Sequence, residues 1–202
     1  MNKPSVLRLI RDTAYDTGYG AKLNFATFDI AEKLPGLLAF IQLVVGVYAL
    51  IYDELTVPKI GAVLVVIGIC GLYLNSYQSD KSKYEKAGKD MTDRFNSLKD
   101  LYFEAKSFPE DHDFTDIVAK HDLIRNETNS ITISKQVLCS DWYAHYKFFW
   151  QQEINWLEEE KNFNLFRDKL PLTFITTVSV GLILWLWWIV ISCSEIAKVI
   201  KP

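Results

Sequence analysis

The most regular feature of the sequence is three long apolar runs without a charged residue. They cover residues 35–52, 60–79 and 170–194, which are 18, 20 and 25 residues long. A helix needs about 20 apolar residues to cross the ~30 Å hydrocarbon core of a bilayer. The pattern therefore predicts three transmembrane helices, at about 35–52, 60–78 and 170–194. Buried core helices of a soluble protein are the alternative.

The region between the second and third runs has helical periodicity instead. Small and apolar residues recur there at steps of four and three: Tyr84, Gly88, Met91, Phe95, Leu98, Tyr102 and Ala105. This pattern predicts a long helix that ends near Pro109 and a short helix over about 114–125. A second long helix is expected over about 134–168, because four aromatic residues repeat there every seven positions: Trp142, Phe149, Trp156 and Phe163.

Two long helices rooted in one membrane should pack against each other as an antiparallel stalk. The expected packing residues are Phe95, Leu98, Tyr102, Trp142, Phe149 and Trp156. The predicted fold class is an all-α membrane protein. It has an N-terminal transmembrane helical hairpin, a long cytoplasmic helical stalk and a C-terminal third transmembrane helix.

Lysine and arginine residues predict the topology, because they are enriched on the cytoplasmic side of membranes. Five precede the first apolar run, only Lys59 lies in the loop at 53–59, and 14 lie between residues 80 and 169. No small-residue cleavage motif follows the first run, so we expect that helix to remain in the chain. The expected organisation is a cytoplasmic N-terminal arm, a hairpin, a cytoplasmic helical domain, a third transmembrane helix and a short tail, at 1–34, 35–79, 80–169, 170–194 and 195–202.

One face of the first predicted membrane helix combines small and polar residues and ends in two carboxylates. Its members are Gln42, Gly46, Ala49, Asp53 and Glu54. Small residues allow close helix packing in lipid, which would explain Gly46 without any pore. A buried amide needs a partner, however, and an acidic ring at a pore mouth favours cations. We therefore treat these five residues as pore-lining candidates.

Three helices of one copy cannot enclose a water-filled path. Any pore must therefore be built by a homo-oligomer, most simply a cyclic one, and we take a tetramer as the working stoichiometry. The remaining partner expected from the apolar runs is membrane lipid.

The sequence contains no HExxH, P-loop, GxSxG or GxGxxG motif, and its three cysteines lack metal spacing. We therefore predict no catalytic residue, no metal and no cofactor. Residues 80–169 carry 14 Lys and Arg against 18 Asp and Glu, a net charge of −4, which argues against binding of duplex nucleic acid. A local pocket for a phosphate ligand is compatible with this charge, and its cationic candidates are Lys120, His121, Arg125 and Lys135.

The stretch SDWYAHYKFFWQQEINW, at 140–156, is unusually rich in rings. Three interpretations compete: a membrane-interface belt, a surface on which bases stack, and a packed helix seam. Most of the stretch lies too far from the third apolar run for a belt. The heptad positions fit a seam, whereas Tyr143, His145 and Trp150 lie elsewhere on the helix and are candidates for a ligand or a neighbouring subunit.

Two short motifs and their order resemble a known family. YGAK at 19–22 precedes the hairpin, and Lys86, Ala87 and Gly88, followed by Phe95 and Leu98, come after it. Over residues 15–135 the chain resembles the SLATT family, the SMODS- and SLOG-associating two-transmembrane effectors of bacterial anti-phage defence. The strong third apolar run departs from a purely two-helix pattern.

The resemblance implies an effector that acts at the bacterial inner membrane. The missing catalytic motifs predict that it is not an enzyme, and the distribution of lysine and arginine predicts a cytoplasmic N-terminus. The resemblance also implies an ion-conducting pore that depolarises the membrane and causes growth arrest or cell death. The implied signal is a nucleotide or a short single-stranded oligonucleotide made by a partner nucleotidyltransferase. In Hailong-type systems that signal is understood to be a deoxyadenylate that holds the effector shut. The alternative is a non-conducting scaffold whose stalk recruits a soluble partner.

Overall fold

The computed structural model describes residues 1–55, 57–151, 156, 171–183, 185 and 187. Residues 1–161 and 162–202 form two separate units. The helices of the first unit are α1 (Lys3–Ala49), α2 (Pro58–Asn75), α3 (Lys81–Ser107), α4 (Thr115–Ile131) and α5 (Ser140–Tyr146), which continues as a π-helical turn, Lys147–Gln151. In the second unit residues 172–183 are helical. Because no strand occurs in these described ranges, the all-helical prediction agrees with them.

The expected N-terminal arm and the first apolar run form one continuous helix, α1, of 47 residues. It begins where the side chain of Asn2 accepts a hydrogen bond from the N–H of Ser5, at 3.2 Å. Pro35 lies inside the helix and has no N–H to donate to the carbonyl of Ala31. The side-chain amide of Gln78, just before α3, donates to that carbonyl instead. A long-range bond thus replaces the one that proline removes.

The principal partner of α3 is α1, and glycines bring the two helices together. A Cβ atom added at Gly18 would lie 2.8 Å from the ring of Phe95, and one at Gly88 would lie 2.9 Å from the ring of Phe25. Real Cβ atoms do not approach other atoms so closely, so both sites require glycine unless the rings move. The seven periodic residues of α3 are all buried. The stalk therefore includes α1, which the sequence analysis assigned to an arm.

The helix expected over about 134–168 begins later, at Ser140. Helix α4 extends to Ile131, beyond the predicted end near Arg125, and residues 132–139 are irregular. We call residues 132–139 the strap. It ends at Cys139, whose φ of 66° lies in the left-handed region and stops a helix from running through this point.

Within the described residues two segments are long and apolar enough to cross a membrane, Lys3–Ala49 and Pro58–Ser107. Only 6% and 11% of their most apolar windows are buried. Large side chains point outward from both, such as Leu43 at 64% exposure and Leu72 at 74%. The core helix of a soluble protein would bury such residues, so the exposure favours contact with lipid. The third predicted span contains a shorter apolar helix at Leu172–Ile183, and much of its remainder lies outside the described residues.

Candidate functional site

Three tyrosine hydroxyls bind the backbone of the strap to the segment that leaves the membrane hairpin. Tyr84 donates to the carbonyl of Lys135 at 2.6 Å, and Tyr77 donates to the carbonyl of Gln136 at 3.2 Å. The hydroxyl of Tyr73, within α2, accepts from the N–H of Leu138 at 3.1 Å. These bonds satisfy backbone groups that an irregular segment cannot pair within itself.

The side chain of Gln136 binds the same strap to α1. Its amide oxygen accepts a hydrogen bond from the hydroxyl of Thr27, and its amide nitrogen donates to Asn24 Oδ1 at 3.3 Å. Thr27 and Asn24 are both buried. Because buried polar groups need partners, this network specifies where the strap lies on α1.

Apolar packing reinforces these bonds at the ends of the two hairpin helices that lie next to the strap. The buried side chain of Val137 belongs to a cluster with Ala31 of α1 and Leu74 of α2. Two tyrosines, Tyr77 and Tyr84, complete the buried part of the cluster. The strap therefore contacts both arms of the hairpin, α1 at Ala31 and α2 at Leu74.

Beyond the strap, α5 packs on the part of α1 that carries the YGAK motif. The hydroxyl of Tyr19 and Nδ1 of His145 are 2.9 Å apart, and Lys147 forms an ion pair with Asp29. Burial would raise the pKa of the Asp29 carboxyl, but hydrogen bonds from Lys147 and Lys33 outweigh it and lower the pKa. The polar contacts of the α1–α5 seam therefore include a hydroxyl–imidazole bond and an ion pair.

The ligand candidates on α4 have different surroundings. Lys120 pairs with Glu104 on α3 at 2.7 Å and is exposed. His121 is 0% exposed, with Nε2 2.8 Å from the hydroxyl of Thr13 and Nδ1 3.2 Å from Asp122. Its ring connects α4 to α1 inside the core and is not accessible to a ligand in solution.

Arg125 lines an open polar groove of about 300 Å³ between α1, α3 and α4. Most of its other lining residues carry hydroxyl, amide or carboxylate groups: Thr13, Asp16, Thr17, Thr128, Asn129 and Thr132. Gly20 and Met91 complete the lining. Three of these hydroxyls, on Thr17, Thr128 and Thr132, donate to backbone carbonyls and remain available as acceptors. The amide of Asn129 and the guanidinium of Arg125 are the groups that could donate to a small polar ligand.

The remaining ligand candidates do not join this groove. Lys135 lies over the ring of Tyr77 at 4.6 Å, beside the membrane hairpin. Nζ of Lys147 lies 4.4 Å from the centre of the Tyr143 ring, a cation–π contact. Trp150 is 65% exposed on the π-helical turn. The seven candidates therefore occupy separate places on α4, on the strap and on α5.

Two of the pore-lining candidates have defined positions within the hairpin. Gln42 donates to the backbone carbonyl of Leu64 in α2 at 2.8 Å, and a Cβ added at Gly68 would lie 3.2 Å from its amide nitrogen. Gly46 has open space around it. Thus Gln42 has the partner that a polar amide in lipid requires.

At the other end of this face Ala49 is half-buried and Glu54 is exposed, whereas the side chain of Asp53 lies outside the described residues.

The aromatic stretch contributes to the stalk through Trp156, whose ring lies 5.7 Å from that of Phe95 and 5.1 Å from that of Tyr102. Leu98 is fully buried, Phe149 is buried and Trp142 is half-buried. Phe163 lies outside the described residues.

Phe148 lies outside the heptad line, yet it is fully buried and contacts Tyr15 of α1 edge-on at 5.4 Å. The π-helical turn changes the register, which the heptad pattern did not indicate.

The side chains that bind the strap were not predicted from the sequence. Tyr73, Tyr77 and Tyr84 are spaced by four and seven residues, a helical repeat that could have indicated one tyrosine-lined face. Gln136, Asn24 and Thr27 gave no comparable signal, because single amides and hydroxyls occur throughout the chain.

Residues 1–178 match the family model of the SMODS and SLOG-associating 2TM effector domain 6. No curated protein and no solved structure matches the chain. The family match spans α1 to α5 and ends inside the third apolar run. It confirms the resemblance and the membrane-effector class that the resemblance implies. The chain therefore belongs to the SLATT family of membrane effectors.

Proposed function

We propose that the chain is a ligand-gated pore effector of bacterial anti-phage defence. Copies of the chain assemble in the inner membrane, with the N-terminus in the cytoplasm. A nucleotide or short oligonucleotide signal acts on the cytoplasmic helices, and the open state depolarises the membrane and arrests growth or kills the cell.

The observation that carries the proposal is the strap. A ligand can shift a channel between two states only through an element that differs between those states and contacts both sites. The strap connects α4 and α5, which bear the ligand candidates, to Tyr73 of α2 and Thr27 of α1. Movement of α4 or α5 would therefore act directly on the cytoplasmic ends of both hairpin helices.

The outward-facing apolar surface of the hairpin supports its place in the membrane. Within one copy, the bond between Gln42 and Leu64 ties α1 to α2. An oligomer must provide the pore, because a single hairpin leaves no enclosed path. In that assembly the face of Gln42 and Gly46 lines the pore, and the acidic residues at 53 and 54 form its outer mouth.

The test is electrical. Purified full-length protein in planar bilayers should carry current, and ATP or a short single-stranded deoxyadenylate should change the probability of opening. Gln42→Leu and Asp53→Asn should alter conductance or ion selectivity, whereas Leu43→Ile, on a lipid-exposed site, should alter neither. Current that is the same in all three variants would reject the pore assignment.

A specific observation also favours the scaffold function. Large apolar side chains are exposed on the cytoplasmic helices, including Leu123 at 66%, Tyr146 at 52% and Trp150 at 65%. Exposed residues of this kind occur at surfaces that bind proteins. Expression of this chain alone separates the two functions, because loss of membrane potential would exclude a scaffold that acts only by recruitment.

A further inference from the structure

Lys22, the last residue of the YGAK motif, has an unusual position on the α1–α5 seam. It lies one helical turn beyond Tyr19, which contacts His145, and two turns before Asp29, which contacts Lys147. The side chain is half-buried. Among the described residues no hydrogen bond or ion pair involves it.

Asp29, seven residues beyond Lys22 on the same side of α1, already serves two other cations. Asp29 binds Lys147 and accepts a second hydrogen bond from Lys33 at 2.8 Å. Burial raises the pKa of the Tyr19 hydroxyl, and a second carboxylate beside the seam, Asp141, raises it further. Asp29 thus pairs directly with two lysines, Lys147 and Lys33, and not with Lys22.

Burial of Lys22 lowers the pKa of its ammonium group, and the positive charge of Lys147 lowers it further. Both effects mean that the charged form is less stable here than in water. A half-buried cation without a counter-ion costs free energy unless a ligand supplies the missing negative charge. The side chain is only half-buried, so an anion from solution can reach it.

We propose that Lys22, assisted by Lys147, binds a phosphate group on the α1–α5 seam. The proposal rests on the proposed function only in that a nucleotide signal would bring such a phosphate. Pro35, where the first apolar run begins, is 13 residues further along α1, or about 20 Å at 1.5 Å per residue. A lipid headgroup at the membrane surface is therefore too far away, and the phosphate belongs to a ligand in solution.

The location gives such a phosphate a route to the strap. Asn24, two residues beyond Lys22, accepts the hydrogen bond of Gln136, and α5 begins directly after the strap. An anion between Lys22 and α5 would draw the two elements together by neutralising their repulsion. This change would occur next to the network that holds the strap to α1.

The test uses the full chain in detergent and in nanodiscs with zwitterionic or anionic lipid. Pyrophosphate, ATP and a short single-stranded deoxyadenylate are the probes, and the thermal unfolding temperature is the first measurement. Each probe that binds should raise the unfolding temperature of the native protein by mass action. Lys22→Met should raise that temperature without a probe, because it removes an uncompensated charge, and should weaken probe binding at least tenfold.

Two further variants make the result specific. Lys22→Arg keeps the charge and should retain binding within a few-fold. Lys89→Met removes an exposed lysine that pairs with Glu85 on α3, and should leave binding unchanged. Equal probe affinity in Lys22→Met and the native chain would overturn the proposal, as would the absence of any stabilisation by the three probes. Stabilisation that appears only in anionic nanodiscs would also overturn it, because the source would then be lipid.

The readout also separates the phosphate site from the proposed function. Probe binding that depends on Lys22, together with a bilayer current that the probe does not change, would support the site and reject ligand gating. Loss of probe binding in Lys22→Met, with loss of the probe's effect on current, would support both.

Discussion

The side chain of His121 illustrates how strongly the role of a residue depends on its surroundings. In sequence it lies beside Lys120 and near Arg125, and this proximity suggested an anion site. In the fold it is completely buried, and both ring nitrogens have partners. The neutral ring can accept from Thr13 at Nε2 while it donates to Asp122 at Nδ1, so His121 pins α4 to α1.

This environment predicts a pH-dependent stability. Burial lowers the pKa of His121 below its ordinary 6.5, although the hydrogen bond to Asp122 partly opposes the shift. The unfolded chain therefore takes up a proton at a higher pH than the folded chain. Stability is complete above about pH 6.5 and falls as pH decreases from there towards the folded pKa, with a slope of at most about 1.4 kcal/mol per pH unit.

Thermal unfolding measured between pH 7.5 and pH 5 checks this expectation. His121→Gln should lower the unfolding temperature at pH 7.5 and flatten its decrease towards acid. His112→Gln serves as the matched control, because that ring lies on the loop before α4, and the decrease should persist there. A native protein whose unfolding temperature does not fall with pH would contradict the assignment.

At the scale of elements, the second apolar run predicted α2, because lipid exposure favours apolar residues. The steps of four and three predicted α3, because burial of one helix face follows that period. The path of the strap was not predictable in the same way. Its residues have no proline or glycine, and their irregular conformation depends on hydroxyl groups that lie more than 50 residues earlier in the chain. The role of α1 in the stalk was also missed, since much of its buried face consists of small residues such as Ala14, Gly18 and Ala21.

The junction of α1 with the membrane hairpin gives a prediction at the same scale. Pro35 frees the carbonyl of Ala31, and the amide of Gln78 satisfies it. Gln78→Leu should therefore destabilise the protein by about 1 kcal/mol, because the carbonyl loses its partner. In a Pro35→Ala background the same change should cost much less, since the substituted alanine can donate its own backbone N–H to the carbonyl of Ala31.

A double-mutant cycle in detergent, followed by urea unfolding, measures this coupling. Ser79→Ala, at the exposed position next to Gln78, is the control and should be close to neutral in both backgrounds. Equal costs of Gln78→Leu with and without Pro35 would show that the two residues act independently.

At the scale of the whole molecule, the strap connects α4 and α5 to both helices of the hairpin. If it transmits the ligand signal, weakening its attachment should uncouple the two parts without removing the pore. Tyr77→Phe combined with Tyr84→Phe removes two hydroxyls that bind the strap and keeps both rings in the apolar cluster. Each hydroxyl contributes about 1 kcal/mol to the attachment.

The double variant should still carry current in planar bilayers, but ATP or deoxyadenylate should change its opening at least several-fold less than that of the native chain. Tyr146→Phe removes a hydroxyl from an exposed ring and should respond as the native chain does. The same comparison distinguishes the strap from the α1–α5 seam, because the variant should bind the probes normally while its response is lost. A native response in the double variant would mean that the signal reaches the hairpin through α1 or α3 alone.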